Sequence, residues 1–150
     1  VFATLSLKGR ALRLLSQREH SRAELVAKLA PHVQDGDDLA AVLDDLQARD
    51  FISEARVAES VVHRRAAKLG TQRLVQELRG KGLDEDLVRA TAERLRATEL
   101  ARAQAVWQQR FGGQPANRPE ERARQMRFLA ARGFAGDVVR RVVRGAEDEI

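Results

Sequence analysis

The sequence predicts an all-α protein made of three tandem repeats, each with three helices. Ala, Leu, Arg, Glu and Gln, which all favour helices, dominate the segments between turns. Aromatic residues make up only 4% of the chain and tyrosine is absent, so residues that favour strands are too few for a substantial sheet. Apolar residues recur at helical spacing in nine segments, and these segments fall into three similar sets.

The first set covers residues 1–52. Its first helix is expected over residues 5–17, with Leu5, Leu12 and Leu15 together on its inner side. Ser21 and Glu24 have the spacing of a capping box, which opens a second helix that Pro31 should end. A third helix should open at Asp35 or Gly36 and bury Leu39, Val42, Leu43 and Leu46.

The second set covers residues 53–97 and begins at another helix cap. Ser53 should cap its first helix, which carries valines at helical spacing. Its second helix starts near Thr71 and stops at Gly82, a residue suited to the left-handed position after a helix. Asp84 should then open the third helix of this set.

The third set covers residues 98–150. Thr98 should open its first helix, and residues 112–115, Gly-Gly-Gln-Pro, form the clearest loop of the chain. Pro119 suits the first position of the next helix, because its fixed φ fits a helix and its missing N–H has no helical partner there. Gly133 should end that helix, and a last helix follows over residues 135–144.

The same residue types recur at matching positions of the three sets. The third set has Gln125 where an apolar residue is expected, and we expect Met126 to take its place. Repeats of about 45 residues bury little surface alone, so they should stack into an elongated, solenoid-like body whose curvature stays open. The alternative is chance likeness among helices. The matching residues are Leu25, Leu29 and Asp38-Leu39; Leu74, Leu78 and Asp86-Leu87; Leu129 and Asp137-Val138; and the turns Lys81-Gly82-Leu83 and Arg132-Gly133-Phe134.

Positive charge increases along the chain. Residues 1–52 carry 7 basic and 8 acidic side chains, residues 53–100 carry 10 and 8, and residues 101–150 carry 10 and 6. The net charge therefore rises from −1 to +2 to +4, and all ten basic residues of the last segment are arginine. Such a gradient predicts an anionic partner towards the C-terminal end. The alternative is that these arginines only form the solvent-exposed faces of helices in an arginine-rich protein.

The residue patterns argue against an enzyme and against a bound cofactor or metal. Cysteine is absent, and His20, His32 and His63 lack the i, i+4 spacing of a metal site, so each is expected at a surface or a helix end. The sequence contains no nucleophile elbow and no glycine loop of the phosphate-binding type. The acidic pairs at residues 37–38, 44–45 and 120–121 are interpreted as structural.

The hydropathy of the sequence predicts a cytoplasmic protein. No apolar run approaches the ~18 to 20 residues that a membrane span needs, and no signal-peptide pattern is visible. The chain starts at Val1 rather than at methionine, so we expect its native start to lie outside this sequence.

Three groups of basic residues are the candidate binding surfaces. Cations without interleaved aromatic residues suit backbone phosphates or an acidic protein groove better than stacked bases. The alternative is a solvated face with salt bridges, such as one between Arg73 and Glu77. The groups are Arg64, Arg65, Lys68 and Arg73 in the fourth and fifth helices; Arg124 and Arg127 in the eighth; and Arg140, Arg141 and Arg144 on the outer face of the ninth.

The aromatic residues of the third set allow two interpretations. Phe128 lies off the core face that we predict for the eighth helix, which consists of Ala123, Met126 and Ala130. It either packs against a neighbouring repeat or is presented to a partner. Trp107 and Phe111 are four residues apart on the seventh helix and are expected to pack inside or between repeats, with a binding anchor as the alternative.

Residues 50–58, Asp-Phe-Ile-Ser-Glu-Ala-Arg-Val-Ala, resemble the hallmark of the RecX family, roughly Gly-aromatic-Leu-acidic-acidic-x-Arg-aromatic-Ala. Residues 18–25 resemble the family's opening, and the two glycine turns resemble its Lys-Gly-Ile and Arg-Gly-Tyr/Phe elements, so the match covers about residues 5–144. The sequence departs from the pattern where Asp50 replaces a glycine, Ser53 an acid, Val57 an aromatic residue and Lys68 a glycine.

The resemblance implies a non-enzymatic negative modulator of the RecA recombinase. Such a protein binds the RecA–DNA filament in its groove and inhibits recombinase, ATPase and coprotease activities. We expect a monomer whose partner is the RecA filament, with weak non-specific contact to DNA. One alternative is a direct DNA-binding regulator, because residues 21–46 have the pattern of a helix-turn-helix pair, although Asp37, Asp38, Asp44 and Asp45 make a poor surface for a major groove. The other is a helical scaffold for a different protein.

Overall fold

The computed structural model describes residues 4–145, and all regular structure within that range is helical. This confirms the predicted all-α repeat fold. The first set consists of α1 (Leu7–Gln17), α2 (Arg22–Leu29) and α3 (Leu39–Ala48), with a short 3-10 helix, Ala30–His32, after α2. The second consists of α4 (Glu54–Arg65), α5 (Thr71–Gly80) and α6 (Glu85–Ala97). The third consists of α7 (Glu99–Phe111), α8 (Pro119–Ala131) and α9 (Gly136–Arg144).

Several helices begin at the caps that the sequence indicates. The Ser21 hydroxyl accepts a hydrogen bond from the Glu24 N–H (3.1 Å), and the Glu24 carboxylate accepts one from the Ser21 N–H (3.1 Å). This reciprocal pair confirms the capping box. Ser53 and Asp84 cap α4 and α6 through their side chains, and Pro119 occupies the first turn of α8.

The helix α3 begins later than predicted. Its cap is Asp38, whose carboxylate accepts a hydrogen bond from the Ala41 N–H (3.1 Å), so the prediction of a start at Asp35 or Gly36 is wrong. Gly36 lies in a turn with φ +85°, and the carboxylate of Asp37 accepts a hydrogen bond from the N–H of Gln34 (2.8 Å). These local bonds favour a turn over helix at this point.

The helix α1 also begins later, and this changes the role of Leu5. The Ser6 hydroxyl accepts a hydrogen bond from the Gly9 N–H (3.0 Å) and caps a helix that starts at Leu7. Leu5 therefore precedes the helix and is 45% exposed, so its predicted place on the inner face is wrong. Leu12 and Leu15 pack against the core of the first set, as predicted.

Each set of three helices encloses a core of its own. The five leucines that mark the repeat in the sequence, Leu25, Leu29, Leu74, Leu78 and Leu129, are all at most 1% exposed. The first core contains Leu7, Ala11, Leu25, Leu29, Leu43, Leu46 and Ile52. The second contains Val57, Ala58, Val61, Leu69, Leu74, Leu78, Leu83, Val88 and Leu95. The third contains Ala103, Val106, Leu129, Phe134, Val139, Val142 and Val143.

The third core accommodates a buried glutamine. Gln125 is only 5% exposed, and Met126 is partly buried, so the expectation that Met126 replaces it in the core is wrong. The Gln125 side-chain oxygen accepts a hydrogen bond from the Trp107 indole N–H (2.9 Å), and its amide donates to the Gln114 carbonyl (3.3 Å). A satisfied amide can be buried at modest cost, and it gives Trp107 the polar partner that a packed indole needs.

A histidine lies in the interior next to the first junction between repeats. His20 is 1% exposed, so the predicted surface position is wrong, whereas its place directly before Ser21, the N-cap of α2, agrees with the helix end that we gave as the other expectation. Its Nδ1 lies 3.0 Å from the Arg18 carbonyl oxygen, and its Nε2 lies 3.1 Å from the Lys28 ammonium. Because the carbonyl can only accept and the ammonium can only donate, this geometry fits the neutral ring. Burial lowers the pKa of His20, and the charges of Arg18 and Lys28 lower it further.

The first junction joins repeats 1 and 2 mainly through side chains. The Ser21 hydroxyl donates to the Lys81 carbonyl oxygen (2.6 Å), so the cap of α2 also holds the turn after α5. The Lys81 ammonium lies 3.4 Å from the Glu24 carboxylate. Gly82 has φ +73°, and a methyl group there would lie 2.7 Å from the Cβ of Ala23. The glycine is therefore required both by the turn and by the close approach of the two repeats.

Ion pairs complete this first junction. Arg56 of α4 contacts Glu19 (2.9 Å), and Arg18 contacts Glu24 (2.6 Å). Burial alone would raise the pKa of Glu24, but hydrogen bonds from Arg18 and the Ser21 N–H and the charge of Lys81 lower it to about 2.

The second junction joins repeats 2 and 3 through the main chain. The Gly70 N–H donates to the Arg132 carbonyl oxygen (2.8 Å), and the Gln72 N–H donates to the Gly133 carbonyl oxygen (3.2 Å). Gly70 occupies the N-cap position of α5 as Ser21 does in α2, but without a capping side chain, and the 132–133 turn corresponds to the 81–82 turn. A methyl group at Gly70 would lie 2.3 Å from the backbone of Gly133, so the two backbone segments are in contact without a side chain between them.

One arginine stabilises the second junction from inside. Arg102 of α7 is partly buried, and its guanidinium donates to the carbonyl oxygens of Ala66 (3.0 Å), Leu69 (2.5 Å) and Leu95 (2.9 Å). These bonds tie the ends of α4 and α6 to α7. Burial lowers the pKa of Arg102, and the charge of Glu99 opposes this shift. Glu99 is itself buried and accepts a hydrogen bond from the Thr71 N–H (3.0 Å).

Candidate interaction surfaces

The outer face of α9 is cationic. Val139, Val142 and Val143 of this helix are buried in the third core. The helical period therefore places Arg140, Arg141 and Arg144 on the opposite side, where all three are exposed. Asp137 lies in the first turn of the same helix, but among residues 4–145 no ion pair joins a carboxylate to any of the three arginines.

A second cationic site is a pocket between α7, α8 and the turn after α4. Phe128 of α8 forms its aromatic wall, and its ring meets the ring of Phe111 edge to face with centroids 5.5 Å apart. The guanidinium of Arg110 lies 5.4 Å and that of Arg132 lies 4.9 Å from the centroid of the Phe128 ring. Lys68 also lines the pocket. Cation–π contacts of this kind fix where the guanidinium groups lie.

The Phe128 pocket corrects our prediction for α8. The buried residues of this helix are Gln125 and Leu129, whereas Ala130 is exposed and Ala123 is only partly buried. The core face is therefore rotated from the one we predicted. Phe128 is partly buried against the core of its own repeat, the third, whereas our two interpretations were contact with a neighbouring repeat and presentation to a partner.

The structure separates the predicted group at residues 64–73. Arg65 pairs with Glu77 (2.8 Å), and Arg64 donates to the carbonyl of Ser60 within its own helix (3.2 Å). Arg73 donates to the Ala131 carbonyl oxygen (2.9 Å) and does not form the ion pair with Glu77 that we offered as an alternative. Lys68 alone of this group lines the Phe128 pocket.

The two predicted arginines of α8 are both exposed. Arg124 lies four residues before Phe128, on the same face of the helix, and Arg132 follows four residues after it. Arg127 lies to one side of this row. Of the nine predicted residues, five therefore lie in two places: Arg140, Arg141 and Arg144 on the α9 face, and Lys68 and Arg124 around Phe128.

Sequence reasoning missed Arg110 and Arg132 as site residues. Arg110 is at the end of α7, and Arg132 was noticed only as part of a glycine turn. Helical spacing alone could not bring them together, because the pocket joins residues that are far apart in the sequence. Their position beside Phe111 and Phe128 was the available signal, since arginine often stacks on aromatic rings.

The described chain offers no site for catalysis by a metal. No group of three or more acidic or histidine side chains in residues 4–145 could hold an ion. No helix in that range has both the length and the apolar character to span a membrane. Asp44 and Asp45 of α3 are engaged with Arg22 (2.7 Å) and Arg49 (3.0 Å), which fits the structural interpretation of this acidic pair.

A helical repeat protein with two cationic surfaces has the features of a binding module. Three family models, which describe the first, second and third three-helix domains of RecX, match residues 8–46, 53–91 and 97–143. The chain belongs to the RecX family of regulatory proteins.

Similar full-length proteins carry the name regulatory protein RecX. The one from Leptothrix cholodnii is 57% identical, and the match covers 97% of this chain and 92% of that protein. The one from Ralstonia nicotianae is 53% identical over 95% of this chain and 89% of its own. The one from Neisseria meningitidis is 38% identical, and the match covers 96% of this chain and 93% of that protein.

Two solved structures share the fold. The crystal structure of RecX from Lactobacillus salivarius has a TM-score of 0.74 and 19% identity, and the match covers 96% of each chain. A second crystal structure of regulatory protein RecX has a TM-score of 0.71 and 22% identity, covering 89% of this chain and 69% of that one. At these identities, the likeness concerns the arrangement of helices.

Proposed function

We propose that this protein is a negative modulator of RecA, which binds the RecA–DNA filament in its groove and inhibits the recombinase, ATPase and coprotease activities. It would act as a monomer in the cytoplasm, without a cofactor. RecA is the partner that the RecX resemblance implies, and membership of a family of regulatory proteins supports this choice.

The observation that carries the proposal is the α9 face. Arg140, Arg141 and Arg144 are exposed, and within the described part of the chain no carboxylate neutralises them. Three such cations favour a partner with an anionic surface, and a filament offers that surface many times. A chain that makes several weak contacts along a polymer gains affinity because the second contact forms at high effective concentration.

The alternative of a direct helix-turn-helix regulator has less support. In that arrangement α3 would enter the major groove of DNA. Its exposed side carries Asp44, which is 69% exposed, and Asp45, which also contacts Lys8 (3.5 Å). Carboxylates at this position would oppose the approach of phosphates. The scaffold alternative has no observation of its own in its favour.

The test is RecA-catalysed ATP hydrolysis on single-stranded DNA with the protein added. We expect inhibition at near-stoichiometric ratios of protein to RecA. Unchanged hydrolysis at those ratios would refute the proposal. Tight, sequence-specific binding to duplex DNA without RecA would support the direct regulator instead.

A further inference from the structure

We propose that the Phe128 pocket binds a backbone phosphate of single-stranded DNA. The pocket has a volume of about 310 Å³ and lies where repeats 2 and 3 meet. This inference does not depend on RecA, since it concerns a direct contact of the chain with nucleic acid. Its lining consists of Ala67, Lys68, Val106, Gln109, Arg110, Phe128 and Arg132.

The lining is strongly cationic. Three of its seven residues are basic, and none of these described residues is acidic. Lys68, Arg110 and Arg132 form no ion pair with any carboxylate of residues 4–145. Elsewhere, exposed arginines such as Arg79 and Arg94 do have such partners. The pocket is therefore a place where positive charge is concentrated and left uncompensated.

The Phe128 ring holds two of the cations close together. The distances of Arg110 and Arg132 from its centroid, 5.4 and 4.9 Å, place the two guanidinium carbons no more than about 10 Å apart. Like charges at this separation repel each other. A phosphate in the pocket that both arginines line would reduce this repulsion, and the planar guanidinium matches the oxygens of a phosphate.

The surroundings favour a strand over an isolated anion. Arg124 extends the row on α8 by one turn beyond Phe128, and the carboxylates of the first turn of this helix, Glu120 and Glu121, lie farther along it. A row of cations suits a polymer that repeats its negative charge. Both guanidinium groups lie against the Phe128 ring, which leaves it poorly placed to stack on a base, so the contact would be to phosphates and independent of sequence.

The test measures binding of the full chain to a fluorescein-labelled oligo(dT) by fluorescence anisotropy over a range of salt concentrations, without RecA. The variant K68A/R110A/R132A should bind at least about tenfold more weakly. Its slope of log K against log salt should be smaller by about 0.7, because the one phosphate contact of the pocket to a single strand contributes about that much. The matched control R79A/R89A/R94A removes three paired, exposed arginines and should change the slope little.

A second variant separates the geometry of the site from its charge. Phe128→Leu keeps all the cations but removes the ring that positions them, so we expect weaker binding by about threefold with an unchanged salt slope. Arg110→Ala alone, at an exposed position, serves if the triple variant does not fold, and should lower the slope by up to about 0.7. Circular dichroism reports the fold of each variant.

Three outcomes would overturn this inference. The first is an equal loss of oligo(dT) binding in the pocket and control variants. The second is saturation of the pocket by inorganic phosphate, seen in the NMR signals of the arginine Nε–H groups, with no effect of the variants on oligo(dT). The third is a loss of poly-glutamate binding in the pocket variant while its oligo(dT) binding is unchanged. This result would indicate an acidic protein partner. Failure here leaves the RecA proposal standing, because ATP hydrolysis tests that separately.

Discussion

The two junctions between repeats have the same arrangement but different chemistry. In both, the turn after the second helix of one repeat packs on the start of the second helix of the preceding repeat. At the first junction the Ser21 hydroxyl donates a hydrogen bond to the Lys81 carbonyl oxygen, and ion pairs lie around this bond. At the second junction the main-chain N–H of Gly70 donates a hydrogen bond to the Arg132 carbonyl oxygen, and the partly buried Arg102 donates to the nearby Leu69 carbonyl oxygen.

This difference decides where positive charge is left over. At the first junction Arg18, Arg56 and Lys81 all contact carboxylates, so their charge is used within the protein. At the second junction main-chain hydrogen bonds and the Arg102 guanidinium, which donates to carbonyl oxygens, join the repeats. Arg110 and Arg132 have no carboxylate partner among the described residues. The second junction and the adjoining repeat 3 are therefore the better candidates for contact with an anionic partner.

The largest expected effect on stability comes from Gly70→Ala. The new methyl group would lie 2.3 Å from the carbonyl carbon and oxygen of Gly133 and from the N–H nitrogen of Phe134, and backbone cannot move aside as a flexible side chain can. We expect a loss of about 3 kcal/mol, at the upper end of overpacking effects. Hydrogen exchange should become faster in repeat 3, while repeat 1 should retain its protection. An equal loss of protection in all three repeats would contradict the expectation that the substitution acts at the second junction alone.

Three other glycines calibrate this comparison. Gly82→Ala at the first junction combines backbone strain with one contact to Ala23, so we expect a loss of about 2 kcal/mol. Gly36→Ala, at φ +85° with no neighbour within 4 Å, should show the strain alone, about 1 kcal/mol. Gly80→Ala, inside α5 and without a close neighbour, should stabilise the protein by about 0.5 kcal/mol. Urea denaturation gives all of these values.

Arg102→Met tests the buried arginine of the second junction. The variant keeps an unbranched side chain but leaves the carbonyls of Ala66 and Leu69 without their donor. The Leu95 carbonyl loses one donor and keeps its hydrogen bonds from Thr98. We expect a loss of about 2 kcal/mol, because unsatisfied buried acceptors are costly. Since these bonds are made to uncharged carbonyl oxygens in a partly buried place, the loss should be similar at 0.1 and 1 M salt, measured by urea denaturation. A loss that disappears at high salt would show that Arg102 acts as a surface charge instead.

Acid should weaken the first junction before the second. The pKa of His20 is lowered in the folded protein, so the unfolded chain takes up this proton first, and stability should begin to fall as the pH drops through about 6.5. The pKa of Glu24 is lowered from 4.5 to about 2, so its contribution is present above pH 4.5 and is lost between those values. For Glu24 we expect a loss of about 2 kcal/mol or less, since Arg18 is partly exposed.

The readout is urea denaturation at a series of pH values, with His20→Gln and Glu24→Gln as variants. His20→Gln should flatten the dependence of the unfolding free energy on pH below about 6.5, and Glu24→Gln should flatten it between about pH 4.5 and 2. Hydrogen exchange should show repeat 1 opening first in acid. If repeat 3 opens first, the assignment of acid sensitivity to the first junction is wrong.

Most of the fold could be predicted from the sequence, because local rules determine it. The cap at Ser21, the turn at Gly82 and leucines such as Leu78 depend on spacing within a few turns of helix. The start of α3 was placed too early, at Asp35 or Gly36, because helical spacing does not show that the hydrogen bond from Gln34 to Asp37 and the positive φ of Gly36 hold this segment in a turn.

The interior polar residues could not be predicted in the same way. His20 and Gln125 are polar types that usually lie at the surface, and each is buried because a partner satisfies it: Lys28 for the histidine and Trp107 for the glutamine. The Phe128 pocket depends on three segments meeting, and helical periodicity carries no information about which helices meet. The arginines of α9 were predictable, since a single amphipathic helix places them.

The most direct test of the functional account is the affinity of the chain for RecA filaments assembled on single-stranded DNA. A fluorescent label on the chain and anisotropy over a range of salt concentrations would measure it. We predict that R140A/R141A/R144A binds at least about tenfold more weakly with a flatter salt dependence, because the contact loses three cations that pair with no carboxylate of residues 4–145. The control R79A/R89A/R94A, with the same change in net charge, should stay within about twofold of the unmodified chain. Equal weakening by both variants, or unchanged binding of the α9 variant, would contradict the account.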